Sequence, residues 1–126
     1  MFKSIKLEMT AALIESSKVR VWIKDGELHY SKDQFGHGIE SIKDEISSIS
    51  AEDFCKKIEN LNIPVWKKDY QPVGVVIMDG VSWSVKYETD TGNPVKSGGD
   101  NAFPSNWKSL IKLLQSVAGD FETFED

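Results

Sequence analysis

Alternation of apolar and polar residues organises the first third of the chain. Ile5, Leu7 and Met9 alternate with Lys6, Glu8 and Thr10, which predicts a half-buried strand over residues 3–10. A connection over 11–17 follows, with a bend at Ser16-Ser17. Val19, Val21 and Ile23 then alternate with Lys18, Arg20, Trp22 and Lys24, up to Asp25-Gly26. Asp-Gly between two alternating runs favours a two-residue type I′ turn, because both central residues take positive φ. Such a turn dictates the register. Lys24 must face Glu27, Ile23 Leu28, Trp22 His29, and Val21 Tyr30.

The same reasoning extends down the chain. Asp33 to Gly38 reads as a loop. Ile39, Ile42, Ile46 and Ile49 fit either an amphipathic helix or a loop and a strand. Their β-branching and the nearby serines lean towards a strand over 42–48. Ser50-Ala51-Glu52-Asp53 resembles a capping box, and Phe54, Ile58 and Leu61 share one helical face. A helix over 51–60 is therefore expected, ended by Asn62-Ile63-Pro64. Val73–Met78 is a further strand, Asp79-Gly80 a second hairpin turn, and Val81, Trp83, Val85 and Tyr87 the inward face of its return strand. Thr91-Gly92-Asn93-Pro94 turns the chain, and 95–97 form a short edge strand. Pro104 suits a first helical turn. Trp107, Leu110, Ile111, Leu114 and Val117 line a helix stopped by Gly119.

Runs of strands that each end in a helix predict an α+β fold. It has a mostly antiparallel sheet built from hairpins, with two helices packed on one face. At 126 residues the chain forms a single domain with a short acidic tail over 119–126. Composition is that of an ordinary globular protein, with 40% apolar and 28% charged residues. The start of the chain carries no apolar signal run and no stretch reaches membrane-spanning length, so cytoplasmic residence without membrane contact is expected. The lone Cys55 agrees with a reducing compartment.

Net charge is −5, but Asp120, Glu122, Glu125 and Asp126 supply −4 of it, leaving 16 acids against 15 bases elsewhere. Arg20 is the only arginine. A near-neutral, lysine-dominated body disfavours a nucleic-acid reader, which ordinarily presents an arginine-rich basic face.

Candidate chemistry is sparse. His29 and His37 lack cysteine or acidic partners at ligand spacing, so no metal site is expected. Cys55 would need a histidine brought to it by the fold before it could act as a nucleophile; a small buried residue is the simpler reading. Gly36-His37-Gly38 and Gly98-Gly99 lack the flanking residues of phosphate loops. No carboxylate pairing points to acid–base catalysis, and no cofactor is implied. Trp66 and Tyr70, with Lys67 and Lys68 between them, could stack a base or a small ligand, or could cover one end of the sheet. Trp83 and Trp107 fall on core faces.

The hairpin registers single out one further set. They put Arg20, Trp22, Lys24, Glu27, His29 and Ser31 on the side of the sheet away from the core. Val73, Val75 and Ile77 fall on that same side of the second hairpin. A tryptophan and a group of aliphatics on a nominally wet face suggest a surface that meets another protein. Trp22, His29, Arg20, Val75 and Ile77 are the candidate partner-binding residues, and Trp66 and Tyr70 the alternative ligand-binding pair.

Three aromatic and turn motifs also carry a resemblance. Trp66-x3-Tyr70, Asp79-Gly80-x2-Trp83 and Gly99-x-Asn101-Ala102-Phe103-Pro104, followed by a closing helix, resemble a group of small, poorly characterised bacterial proteins. Their shared pattern is W-x3-Y, D-G-x2-W and G-x-N-x-(Y/F)-P. The resemblance covers about half the chain, from Phe54 to Leu114, and implies a fold but no activity. In size and acidity the chain is also similar, without any shared motif, to immunity proteins of bacterial toxin systems. That likeness implies a non-catalytic protein whose partner is a toxin domain. For a basic toxin the acidic tail would speed association.

Overall fold

The structure is a computed structural model that describes residues 1–11, 15–35, 41–72 and 80–124. The expected strand over 73–78, its turn at Asp79, and His37 lie outside these residues, as do the side chains of Val75 and Ile77. The described chain forms β1 (Phe2–Ala11), β2 (Glu15–Lys24), β3 (Glu27–Phe35), β4 (Ile42–Ile46) and α1 (Ala51–Asn60). A single 3₁₀ turn (Ile63–Val65) follows, then β5 (Asp69–Tyr70), β6 (Val81–Thr89), β7 (Val95–Asp100) and α2 (Trp107–Ala118). The strands make one seven-stranded sheet in the order β4-β3-β2-β1-β6-β7-β5, and every pairing but β5–β7 is antiparallel. The fold is α+β.

The β2–β3 hairpin has the register that its turn dictates. Asp25 and Gly26 take φ of 53° and 76°, and Lys24, Ile23, Trp22 and Val21 face Glu27, Leu28, His29 and Tyr30. Inward residues of the central strands are buried: Ile5, Leu7 and Met9 on β1, Val19 and Val21 on β2, and Val81, Trp83, Val85 and Tyr87 on β6. In β1 the pairing slips between Phe2 and Ser4, an irregularity that lets Phe2 join Ile5 in the core. There the Phe2 ring meets Phe54 of α1 edge-on at 5.2 Å and Tyr87 at 5.7 Å.

Both helices lie on this inward face. Ser50 caps α1 by accepting the Asp53 amide at 3.1 Å, and Phe54, Cys55 and Ile58 face the sheet. The apolar stripe of α2, from Trp107 through Leu110 and Leu114 to Val117, is likewise buried. Gly119 ends α2 at φ 76°, its amide donating to the Gln115 carbonyl.

Several details differ from the sequence reading. The bend expected at Ser16-Ser17 and the start of the loop expected from Asp33 are strand instead, because β2 and β3 stay paired as far as Ser16 and Phe35. Pro104 lies before the helix and not in its first turn, since α2 begins at Trp107. The strand expected over 95–97 runs on to Asp100 and is not at the edge, because β5 pairs outside it. Its extension runs through Gly98 and Gly99, residues that weaken strands. Here they are needed, because a Cβ on Gly98 would lie 2.9 Å from the Trp83 carbonyl oxygen and one on Gly99 2.7 Å from that of Tyr70. The acidic tail, in turn, is docked as far as it is described. Lys32 and Gln34 sit on the inward face of β3 and are buried. Lys32 Nζ donates to the carbonyls of Ala118 and Asp120, each at 2.9 Å, and Gln34 Oε1 accepts the Glu122 amide. A buried ammonium on the Ala118 carbonyl, the last of α2, is favoured by the helix dipole. Phe121 closes the core beside it.

Candidate functional site on the outer face of the sheet

The face of the sheet opposite the helices carries no described element over it. Trp22 lies on this face, half-buried near the end of β2, the third of the seven strands. A transverse row passes through it: Glu88 of β6, Ser4 of β1, Trp22 of β2, His29 of β3 and Ile46 of β4 are successive cross-strand partners. Direct partners in an antiparallel sheet point to the same side, about 5 Å apart. The Trp22 indole stacks on the His29 imidazole, with centroids 5.7 Å apart and planes 23° apart. Arg20, two residues back on β2, holds its guanidinium 4.7 Å from the centre of the indole. A cation over the face of an indole is attracted by the ring's quadrupole.

His29 is anchored from the other side. Its Nδ1 lies 2.8 Å from Asp44 Oδ1, which fixes the ring plane and ties edge strand β4 to β3. On the inward side of the same strand pair, the Tyr30 hydroxyl donates to Glu45 at 2.9 Å, and this bond raises the phenol's pKa. Ile46, at the end of the outer row, is 57% exposed. Cation, indole, imidazole, carboxylate and an exposed aliphatic thus share one ordered strip. It offers an apolar plate flanked by polar groups of both signs.

Arg20, Trp22 and His29 are therefore brought together as the hairpin register requires. Val75 and Ile77 lie outside the described residues. Asp44 and Ile46 complete the strip, and sequence reasoning did not place them there. Period-two alternation in 42–48 puts the pair on one face, but the identity of β4's neighbour is a long-range property.

Trp66 and Tyr70 belong to a different region. Trp66 meets Trp83 edge-on at 6.1 Å and Trp107 at 6.4 Å, and Tyr70 lies 5.8 Å from Trp83. Trp83 and Trp107 are 4.6 Å apart, and Phe103 contacts both. The backbone around this cluster is held by the turn residues of the motifs. Asn101, at φ 55°, accepts the Val81 amide through Oδ1 at 2.9 Å, and a Cβ on Gly80 would sit 1.9 Å from that oxygen. Trp83 Nε1 donates to the Ala102 carbonyl at 2.8 Å. The described residues of the three motifs, Trp66, Tyr70, Gly80, Trp83, Gly99, Asn101 and Phe103, converge on one packed aromatic cluster.

Cys55 is buried on α1, and burial, followed by the negative charge of Glu59, pushes its thiol pKa up. That is the reverse of what a nucleophilic thiol needs. His29 lies across the sheet from it. Among the described residues no group of three or more His, Cys, Asp and Glu side chains could hold a metal ion, and no helix is long and apolar enough to cross a membrane. Compared with known proteins, the chain matches no family model, no curated protein and no solved structure.

Proposed function

We propose that this chain is a non-catalytic protein-binding domain that docks another protein on the outer face of its sheet, centred on Trp22. One observation carries the reading. Of four tryptophans, three pack into the aromatic cluster on the helix side, whereas Trp22 lies on the opposite face between Arg20 and His29. Tryptophan and arginine are the residue types over-represented where binding energy concentrates. The finer form of the proposal is an immunity protein that neutralises a bacterial toxin domain in the cytoplasm, in keeping with the resemblance in size and acidity. The alternative, a ligand or single-stranded nucleic-acid site on Trp66 and Tyr70, draws no support from rings engaged with Trp83.

Co-expression with the toxic product of a neighbouring gene tests both levels. Wild type is expected to protect growth and to co-purify with that product. Trp22→Ala is expected to lose both while keeping its circular dichroism and melting temperature. Undiminished protection by Trp22→Ala would overturn the proposal.

A further inference from the structure

The outer face holds a second ordered row, next to the one through Trp22. Lys96 of β7 faces Lys86 of β6, Lys86 faces Lys6 of β1, and Lys6 faces Arg20 of β2. Four cations thus stand on four adjacent strands, each directly opposite the next. At a strand spacing of about 4.8 Å the row spans about 14 Å. Like charges in direct cross-strand positions oppose folding. A protein that keeps such a row against the local rule commonly does so where it binds something.

The nearby acids compensate only part of it. Glu8 bonds Lys6 at 2.8 Å and Glu88 lies 3.3 Å from Lys86, each two residues along the same strand. The Lys6 bond, with a further contribution from Lys18, holds the Glu8 carboxyl below its ordinary pKa. Arg20 has the Trp22 ring as its neighbour, and Lys96 has no carboxylate partner among the described residues. Four cations against two carboxylates leave a surplus of two positive charges. Lys6, Lys86 and Lys96 also line a shallow depression of about 260 Å³, with Glu8 and Ser84 on its walls.

We propose that this row receives carboxylates of the docked protein, so that the partner's contact surface is acidic around an apolar group seated on Trp22. The inference rests on the protein-binding reading and adds the partner's charge. It also relocates the relevant electrostatics. Asp120 and Glu122 belong to the segment that Lys32 and Gln34 hold on the helix side, so the charge of these two is not what a partner meets at Trp22. Separated carboxylates fit the row better than a nucleic-acid strand does. Glu8 and Glu88 flank the row on its two sides, which leaves a short positive strip with acids at its borders, and the rest of the chain supplies no basic surplus to hold a run of phosphates.

The test uses the isotopically labelled full chain at low ionic strength, titrated with a short synthetic peptide in which glutamate pairs flank a leucine. Amide shifts are expected at Lys6, Lys86 and Lys96, with a shift of the Trp22 indole. Lys86→Gln with Lys96→Gln should weaken binding roughly tenfold. Lys108→Gln with Lys112→Gln changes net charge equally but on exposed positions of α2, and should leave binding unchanged. The proposal is overturned if the α2 pair weakens binding as much, if no shifts appear at the row, or if oligothymidylate or inorganic phosphate binds the row more tightly than the peptide. In the growth-protection assay, full protection by the Lys86/Lys96 variant alongside failure of Trp22→Ala would reject the cation row and leave the protein-binding reading standing. Full protection by both would reject both.

Discussion

Trp22 and Trp83 occupy equivalent places in their strands, yet their surroundings are opposite. Each sits in an alternating run near an Asp-Gly pair. Trp83 shares the parity of Val81 and Val85, so it points at the helices and is 4% exposed. Trp22 has the parity of Arg20 and Lys24, so it points away. The same side chain becomes a packing residue in one strand and a surface plate in the other, separated only by β1, which pairs with both β2 and β6. Parity against the neighbouring aliphatics, more than residue type, decides whether an aromatic packs into the core or lies on the surface.

The contrast can be broken or sharpened experimentally. The largest effect is expected at the aromatic cluster. Trp107→Ala should cost about 3–5 kcal/mol in denaturant unfolding, the usual range for emptying a large aromatic site. Gly99→Ala comes next, at about 1–3 kcal/mol, because its Cβ would lie 2.7 Å from the Tyr70 carbonyl oxygen and 2.8 Å from that of Ala102, both backbone atoms. Lys32→Met should cost about 1–2 kcal/mol by leaving the Ala118 and Asp120 carbonyls without their charged donor. Hydrogen exchange at the Glu122 amide should accelerate in that variant.

Trp22→Ala should change stability by no more than about 1 kcal/mol, the scale of a cross-strand pair, while abolishing partner binding. A loss as large as that of Trp107→Ala would make Trp22 a core residue and erase the comparison. The smallest effect concerns acid. Glu8 has a folded pKa depressed below its ordinary 4.5, chiefly by the bond from Lys6. Its contribution is therefore present above that value and is lost as pH falls through the depressed folded pKa. With the carboxylate 37% exposed, solvent screening keeps the contribution well below about 1 kcal/mol. Glu8→Gln should flatten the acid limb of the stability profile by that small amount.

Much of this was legible in the sequence because it is local. The Asp25-Gly26 turn dictates four cross-strand pairs without reference to the rest of the molecule, and those pairs put Trp22 beside His29. Ser50 announces the start of α1, and the 107–117 stripe announces α2. What was not legible depends on partners distant along the chain. Nothing in β1 says that it separates β2 from β6. Gly98 and Gly99 argue against a strand until Trp83 and Tyr70 are known to press on them. Lys32 and Gln34 share the parity of Leu28 and Tyr30, so their inward position could have been read from alternation. Their purpose could not, since the carbonyls that accept from Lys32 lie 86 and 88 residues away. The cation row has the same character. Each lysine is unremarkable on its own strand, and only the sheet order lines them up.

The most direct measurement is hydrogen exchange at the four indole N–H groups, resolved by nuclear magnetic resonance. The Trp22 indole should exchange rapidly without global unfolding, and the Trp83 indole, bonded to the Ala102 carbonyl, should exchange only when the whole domain opens. A Trp22 indole as slow as that of Trp83 would place it inside the protein and contradict the assignment of a recognition face.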